Sequence, residues 1–293
     1  MMHHTPSFNE IVNRLKKYDT DEGFLKHIAT SRYKSRYRVQ VLLAFHPRTP
    51  LQHSLHFLPF LHYRDLARLL QAPYVPIVLK RKAHRLLATR YVSLAKGEKR
   101  ELARLAGGKI LFRLLAEDDL DLREVVLQNP RLKEKDLLQF IRLHMRDPLF
   151  AMQVHTSKRW ANLYAVKHAL FYNAFTPINV LQDMAGDLVM YDMMALLKHK
   201  RVSLEVKSLV WQAFKDKVGG LSRPQKHLLC SHSSPLVLNA LISLKDKHLY
   251  HAIAANPAAK TSHLLVMLHH LQPEKTFRHL SKEEMRCLIT RRM

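Results

Sequence analysis

Apolar residues in this chain return at helical spacing. Between Pro76 and Tyr91, Leu79, Ala83, Leu86 and Leu87 fall at i, i+4, i+7 and i+8, which is one face of a helix. Lys80, Arg81, Lys82, Arg85 and Thr89 make the other face. No long period-two run suggests a strand. The segments Val39 to Leu61, Leu70 to Leu87, Leu122 to Leu143 and His248 to Leu271 share a plan: an apolar stretch, a Pro or Asn-Pro break, and another apolar stretch. Unit length is about 22 to 33 residues, the size of a helix pair in a helical array. The breaks carry boundary signals. Thr49 before Pro50 predicts a capping hydroxyl followed by a proline in the first helical turn. Asn129 and Asn256, each before a proline, predict left-handed helix ends, and Asp65 and Asp192 predict helix N-terminal caps.

The plan is written twice. A shift of 127 residues carries Thr49-Pro50 onto Thr176-Pro177 and Asn129-Pro130 onto Asn256-Pro257. Between those anchors it pairs Asp65 with Asp192, Leu69-Leu70 with Leu196-Leu197, and Leu137-Leu138 with Leu264-Leu265. Without a gap, about 21 of roughly 100 positions are identical, against about 8 from composition alone. The expected organisation is an N-terminal helical cap with a basic segment over 1–41 and two copies of one helical-repeat module, 42–145 and 169–272. An inter-module helix or linker over 146–168 and a C-terminal cap over 273–293, with Phe277, Glu283, Glu284, Arg286 and Arg291, complete it.

The strings Val126-Leu127-Gln128-Asn129-Pro130, Ala252 to Pro257, and Leu43-Ala44-Phe45-His46-Pro47-Arg48-Thr49-Pro50 followed by Leu55, Leu58 and Leu61 resemble leucine-rich-repeat-variant and HEAT-like helical repeats. Those units read apolar-x-x-Asn-Pro-x-Thr-Pro and then spaced leucines. The resemblance implies an α-solenoid whose repeats stack side by side and no particular activity; with the internal duplication, the expected fold is an all-α, right-handed α-solenoid of HEAT-like repeats, roughly ten to fourteen helices in two internally duplicated halves. The founding variant-repeat protein is associated with an iron–sulfur cluster outside its repeats. Two cysteines, Cys230 and Cys287, cannot supply that site, so fold alone is carried over.

Composition narrows the function classes. Seven glycines, 13 prolines and 47% hydrophobic residues exclude collagen-like and low-complexity chains. Two cysteines cannot build a disulfide framework and fit a reducing compartment, so a cytoplasmic location is expected. Met1 to Lys17 is interrupted by His3, His4, Asn9, Glu10 and Asn13 and is not expected to be a cleaved leader. Leu188 to Leu197, with Asp192 inside it, is too short to span a membrane, so a soluble chain is expected. Against 24 acidic residues stand 48 Lys and Arg, a formal charge of +24, which predicts an anionic partner.

The charge is clustered. Arg32-Tyr33-Lys34-Ser35-Arg36-Tyr37-Arg38 sets four cations and two aromatics in seven residues, and a helix there would align Arg32 with Arg36 and Tyr33 with Tyr37. Lys80, Arg81, Lys82, Arg85 and Lys99 form a second cluster, matched after the shift by Lys207 and Lys226 with Lys200 and Arg201 just upstream. Modules stacked in register would bring these onto one basic edge, binding phosphates in a steeply salt-dependent way. The expected function is a non-catalytic scaffold for nucleic acid or a ribonucleoprotein. The alternative is a protein–protein scaffold whose concave groove takes an acidic or helical peptide. A third reading is a glycosylase-type enzyme, because one class of alkyl-purine DNA glycosylases is built from HEAT-like arrays. Trp160 and Asp147 would be its aromatic and carboxylate.

Metal and phosphate-loop chemistry find less support. His227, Cys230, His232, His248 and His251 include the donor types zinc takes. The shift pairs Cys230 with Ala103 and His232 with Leu105, which reads as packing, so no metal or cofactor is expected. Glu117-Asp118-Asp119 with Asp121 could hold magnesium, but only Asp119 persists, as Asp246, which suits a charged loop tip. Gly107-Gly108 and Gly219-Gly220 lack the flanking residues of a phosphate-cradling loop.

Overall fold

The computed structural model describes residues 7–275, 277 and 280–291. His3 and His4, and Arg292 at the end of the expected C-terminal cap, lie outside the described residues. Among the described residues every regular element is helical and there is no strand, and twenty α-helices stand where roughly ten to fourteen are expected, because all but two of them are only 6 to 11 residues long. The chain divides into two compact units, Met1–Met145 and Arg146–Met293.

The first unit contains α1 (Phe8–Leu15), α2 (Glu22–Thr30), a 3-10 turn over Arg32–Ser35, α3 (Tyr37–Phe45), α4 (Leu51–Phe57) and α5 (Tyr63–Gln71). It continues through α6 (Ile77–Arg90), α7 (Lys96–Leu105), α8 (Lys109–Leu115), α9 (Leu120–Gln128) and α10 (Glu134–Leu143). Consecutive helices pack as pairs, α3 on α4, α5 on α6 and α7 on α8, and each pair also meets the next. Thus α1 packs on α3, α5 on α7 and α7 on α9 in one row, with α4 on α6 and α8 on α10 in the other. The apolar stripe dictates this layering. On α6, Leu79, Ala83 and Leu87 are buried, and Leu86 is half-buried at the stripe's edge.

The second unit contains α11 (Pro148–Thr156), α12 (Tyr164–Tyr172), α13 (Ile178–Ala185), α14 (Met190–Lys198), α15 (Leu204–Gly219) and α16 (Arg223–His232). After α17 (Pro235–Ser243), a 3-10 turn over Lys247–Leu249 runs into α18 (Tyr250–Ala255), followed by α19 (Thr261–Leu271) and α20 (Lys282–Arg291). Again α12 packs on α14, α16 on α18 and α18 on α20, with α11 on α13, α13 on α15, α15 on α17 and α17 on α19. The starts of α3, α4, α5, α6, α7 and α10 recur 127 residues later as the starts of α12, α13, α14, α15, α16 and α19. The start of α9 matches that of the 3-10 turn before α18, and α17 begins one residue earlier than α8 would place it. The corresponding helices thus begin at 37 and 164, five residues ahead of the expected boundaries at 42 and 169.

Hydrogen bonds recur with the same shift. The buried Asn129 side chain donates to the Ala103 carbonyl at 2.5 Å and the Ala106 carbonyl at 3.1 Å, and its Oδ1 accepts the Arg131 N–H at 2.7 Å. Asn256 donates to the Cys230 carbonyl at 2.6 Å and the Ser233 carbonyl at 3.3 Å, and accepts the Ala258 N–H at 2.7 Å. Each asparagine therefore ties the end of one helix to the end of another two places earlier in the chain. Neither is left-handed: Asn129 sits at φ −67°, ψ 123° and Asn256 at φ −66°, ψ 126°, because the following proline ring forces extended backbone.

Two further boundary expectations are corrected. Pro50 and Pro177 are themselves the residues before α4 and α13, both extended, so the threonine hydroxyls do not cap those helices. Thr176 instead donates to the Leu170 carbonyl at 2.8 Å. Asp65 and Asp192 lie inside the first turns of α5 and α14, not at their caps. The Tyr37 hydroxyl donates to Asp65 and accepts the His62 N–H at 3.0 Å; the Tyr164 hydroxyl donates to Asp192 and accepts the Val189 N–H at 3.2 Å. His62 and Val189 have no capping side chain of their own, so a tyrosine from an earlier helix supplies the missing partner.

Candidate nucleic-acid interface

In the first unit several acids in and around α5, α7 and α9 are met by cations. Arg64 pairs with Glu101, which also accepts from the Tyr63 hydroxyl at 2.8 Å. Lys96 reaches Asp119 at 2.9 Å, Lys99 reaches Glu117 at 3.0 Å, and Arg100 pairs with Asp121. Arg64, Tyr63 and Glu101 line an open cleft of about 780 Å3, and Lys96, Lys99, Glu117, Asp119 and Asp121 line another of about 630 Å3. The Tyr91 hydroxyl, with Lys99 beside it, holds the Glu117 carboxyl below the ordinary carboxylate range. Asp119 is also lowered: burial pushes it up, but Lys96 and the Leu122 N–H it caps outweigh that. The acidic loop is therefore an anchor for neighbouring cations.

The α6 helix differs. Arg81, Lys82 and Arg85 are exposed and Lys80 is half-exposed, and among the described residues none of the four has an acidic partner. The sequence explains why. From Gly23 to Gly97 there are fourteen Lys and Arg, and the one acid is Asp65, which Tyr37 already engages. Arg90, at the end of the same helix, turns inward to the carbonyls of Pro59 and Leu61. Ile77, 61% exposed, and Val78 stand at the head of the basic face.

The other expected contact residues divide into free and engaged groups. Arg32, Lys34, Arg36 and Arg38 are exposed. The segment is not one helix, because the 3-10 turn ends before Arg36, whose backbone is extended at ψ 118° ahead of α3. Tyr33 lies under the Arg32 guanidinium, 5.1 Å from the ring centre, and Tyr37 is held by Asp65. Lys99 is turned inward to Glu117 and the face of Tyr91, and Lys226 donates to the Gly219 carbonyl at 2.8 Å. Lys200 and Arg201 are exposed in the turn after α14, and Lys207 is half-exposed on α15. The positions matching Arg81, Lys82 and Arg85 hold Ser208, Leu209 and Gln212, so the dense basic face belongs to the first unit.

The metal candidates are not assembled. Cys230 is fully buried, and burial together with Asp246 pushes its thiol up to about 11, while His227, His232, His248 and His251 are exposed. Among the described residues no group of three or more His, Cys, Asp or Glu is placed to hold a metal ion. Trp160 is buried beneath Arg159, 4.3 Å from its ring centre, and Asp147 accepts the Leu149 N–H at 2.9 Å at the start of α11. Among the described residues no helix is long and apolar enough to cross a membrane.

One cluster was not anticipated, although its spacing is visible in the sequence. Tyr164, His168 and Tyr172, at i, i+4 and i+8 on α12, form a ring ladder with centroids 6.3 and 5.0 Å apart, and His199 continues it 5.0 Å from Tyr172. No known protein family, curated protein or solved structure matches the chain.

Proposed function

We propose that the chain is a non-catalytic helical-repeat scaffold, a right-handed α-solenoid of HEAT-like units made by duplicating one module, that holds nucleic acid or a ribonucleoprotein by its phosphates. The recurring helix starts and the paired Asn and Tyr hydrogen bonds support the duplication. One observation carries the functional reading: Arg81, Lys82 and Arg85 project from one helix, exposed and, among the described residues, without an acidic partner. Phosphate can reach them without breaking an internal ion pair, and release of condensed counterions supplies the driving force. Such contacts position a backbone and read no base sequence. The reading places the chain in the cytoplasm, where the exposed Cys287 stays reduced.

Retention on immobilised DNA and RNA at about 50 and 300 mM salt tests it. The wild-type chain is expected to be held at the lower concentration and released at the higher, with Arg81→Glu/Lys82→Glu/Arg85→Glu released at both. Indifference to salt, or no retention at the lower value, ends the idea. A second reading, a scaffold for an acidic amphipathic peptide, draws on Ile77 and Val78 beside the same cations. It predicts that Ile77→Ser/Val78→Ser abolishes peptide capture, whereas the phosphate reading predicts unchanged nucleic-acid retention in that variant.

A further inference from the structure

In the second unit the tyrosine–aspartate link between α12 and α14 matches that between α3 and α5, but the surface around it does not. Where the first unit sets the Arg64–Glu101 ion pair, the second sets Tyr191 and Leu228, 76% and 66% exposed. Where the first has Val41 and Phe45 lining an apolar cavity of about 300 Å3 with Leu15 and Tyr18, the second has His168 and Tyr172. Val189 beside the link is exposed as well. Tyr191 and Leu228 thus take the positions of that ion pair, while Lys167 pairs with Asp187 and His168 reaches Asp192 at 3.8 Å around the same helices; exposed apolar side chains of this kind mark an interaction site.

The charge beside the patch identifies the partner's chemistry. Lys198, Lys200 and Arg201 are exposed at and just after the end of α14, and no acid occurs between Asp192 and Glu205. The Tyr172–His199 contact ties this basic turn to the ring ladder. Tyr164 and Tyr172 are about 12 Å apart along the helix, so the rings follow a line and do not close into a pocket. A partner that satisfies the patch carries flat apolar faces in a row along an anionic backbone.

We propose that the α12–α14 face of the second unit is a base-stacking platform for single-stranded nucleic acid, with the bases on Tyr172, His168 and Tyr191 and the backbone on Lys200 and Arg201. The proposal takes its class of partner from the phosphate reading but stands on different residues. Stacking on aromatic faces is worth about 1–3 kcal/mol per base and tolerates any sequence. A duplex hides its base faces and gains nothing from the platform.

The test compares an oligouridylate of about 12 nucleotides with an abasic strand of the same length and charge, using the full chain and fluorescence anisotropy. The wild-type chain is expected to bind the strand with bases about tenfold more tightly or better. Tyr191→Ala/Tyr172→Ala should erase that difference with an unchanged circular dichroism spectrum, and Tyr191→Ala alone, at an exposed position, should reduce it. Arg81→Glu/Lys82→Glu/Arg85→Glu, in the first unit, should leave the difference between the two strands unchanged. Equal wild-type affinity for both strands, or discrimination that survives Tyr191→Ala/Tyr172→Ala, overturns the platform and leaves the phosphate reading standing. Failure to bind either strand overturns both.

Discussion

The Tyr37 hydroxyl donates its proton to Asp65 while accepting the His62 N–H, so a side chain from α3 closes the open start of α5. Asp65 is mostly buried and has an arginine, Arg68, as its remaining partner. Tyr37→Phe removes only the oxygen and leaves both groups short of a partner. We expect a loss of about 1–3 kcal/mol in urea unfolding, and a similar loss for Tyr164→Phe in the second unit. A loss near zero for both would show that the link carries no stability.

Asn129 and Asn256 each donate to helix-end carbonyls two helices back in the chain. Asn129→Ala and Asn256→Ala are expected to cost about 2–3 kcal/mol each. Asn129→Asp should be no better, since a carboxylate cannot donate to carbonyls. Thermal unfolding of the three variants checks this.

Acid should weaken the first unit through its anchored carboxylates. Glu117 titrates below its ordinary value because the Tyr91 hydroxyl and Lys99 favour the ionised form. A lowered folded value means the contribution is present above the unfolded value of about 4.5 and is lost as pH falls through the folded value. Stability measured from pH 6 downward, a range set by the carboxylates' ordinary values of roughly 4, should fall less steeply in Glu117→Gln than in wild type. Identical slopes would contradict the assignment.

Much of the fold can be read from the chain because helical spacing and the 127-residue recurrence are local or self-referential signals. What escaped was supplied from elsewhere in the chain. Asp65 looks like a cap because short acids precede helices, yet its partner is a tyrosine 28 residues earlier. Asn129 before Pro130 looks like a helix end, which it is, but proline forbids the left-handed conformation and the amide reaches carbonyls more than twenty residues back. Lys99 and Lys226 counted as free charge in the sequence, and only packing shows one facing Glu117 and the other a helix-end carbonyl. The Tyr164–His168–Tyr172 spacing was visible, but core aromatics have the same spacing, and exposure alone tells them apart.

That distinction between free and engaged cations predicts opposite phenotypes. Lys99→Gln should lower stability, because Glu117 loses its cation, and leave nucleic-acid affinity nearly unchanged. Arg81→Gln should leave stability within about 0.5 kcal/mol and weaken nucleic-acid binding. Paired measurements of unfolding midpoint and affinity on the two variants separate the roles.

The most direct test of the phosphate reading is the dependence of log Kd on log salt concentration, for a duplex probe, in wild type and in Arg81→Gln/Lys82→Gln/Arg85→Gln. The account predicts a steep wild-type slope that falls by about three when the three charges are removed, with affinity reduced across all sequences alike. A slope unchanged by the triple substitution would contradict it.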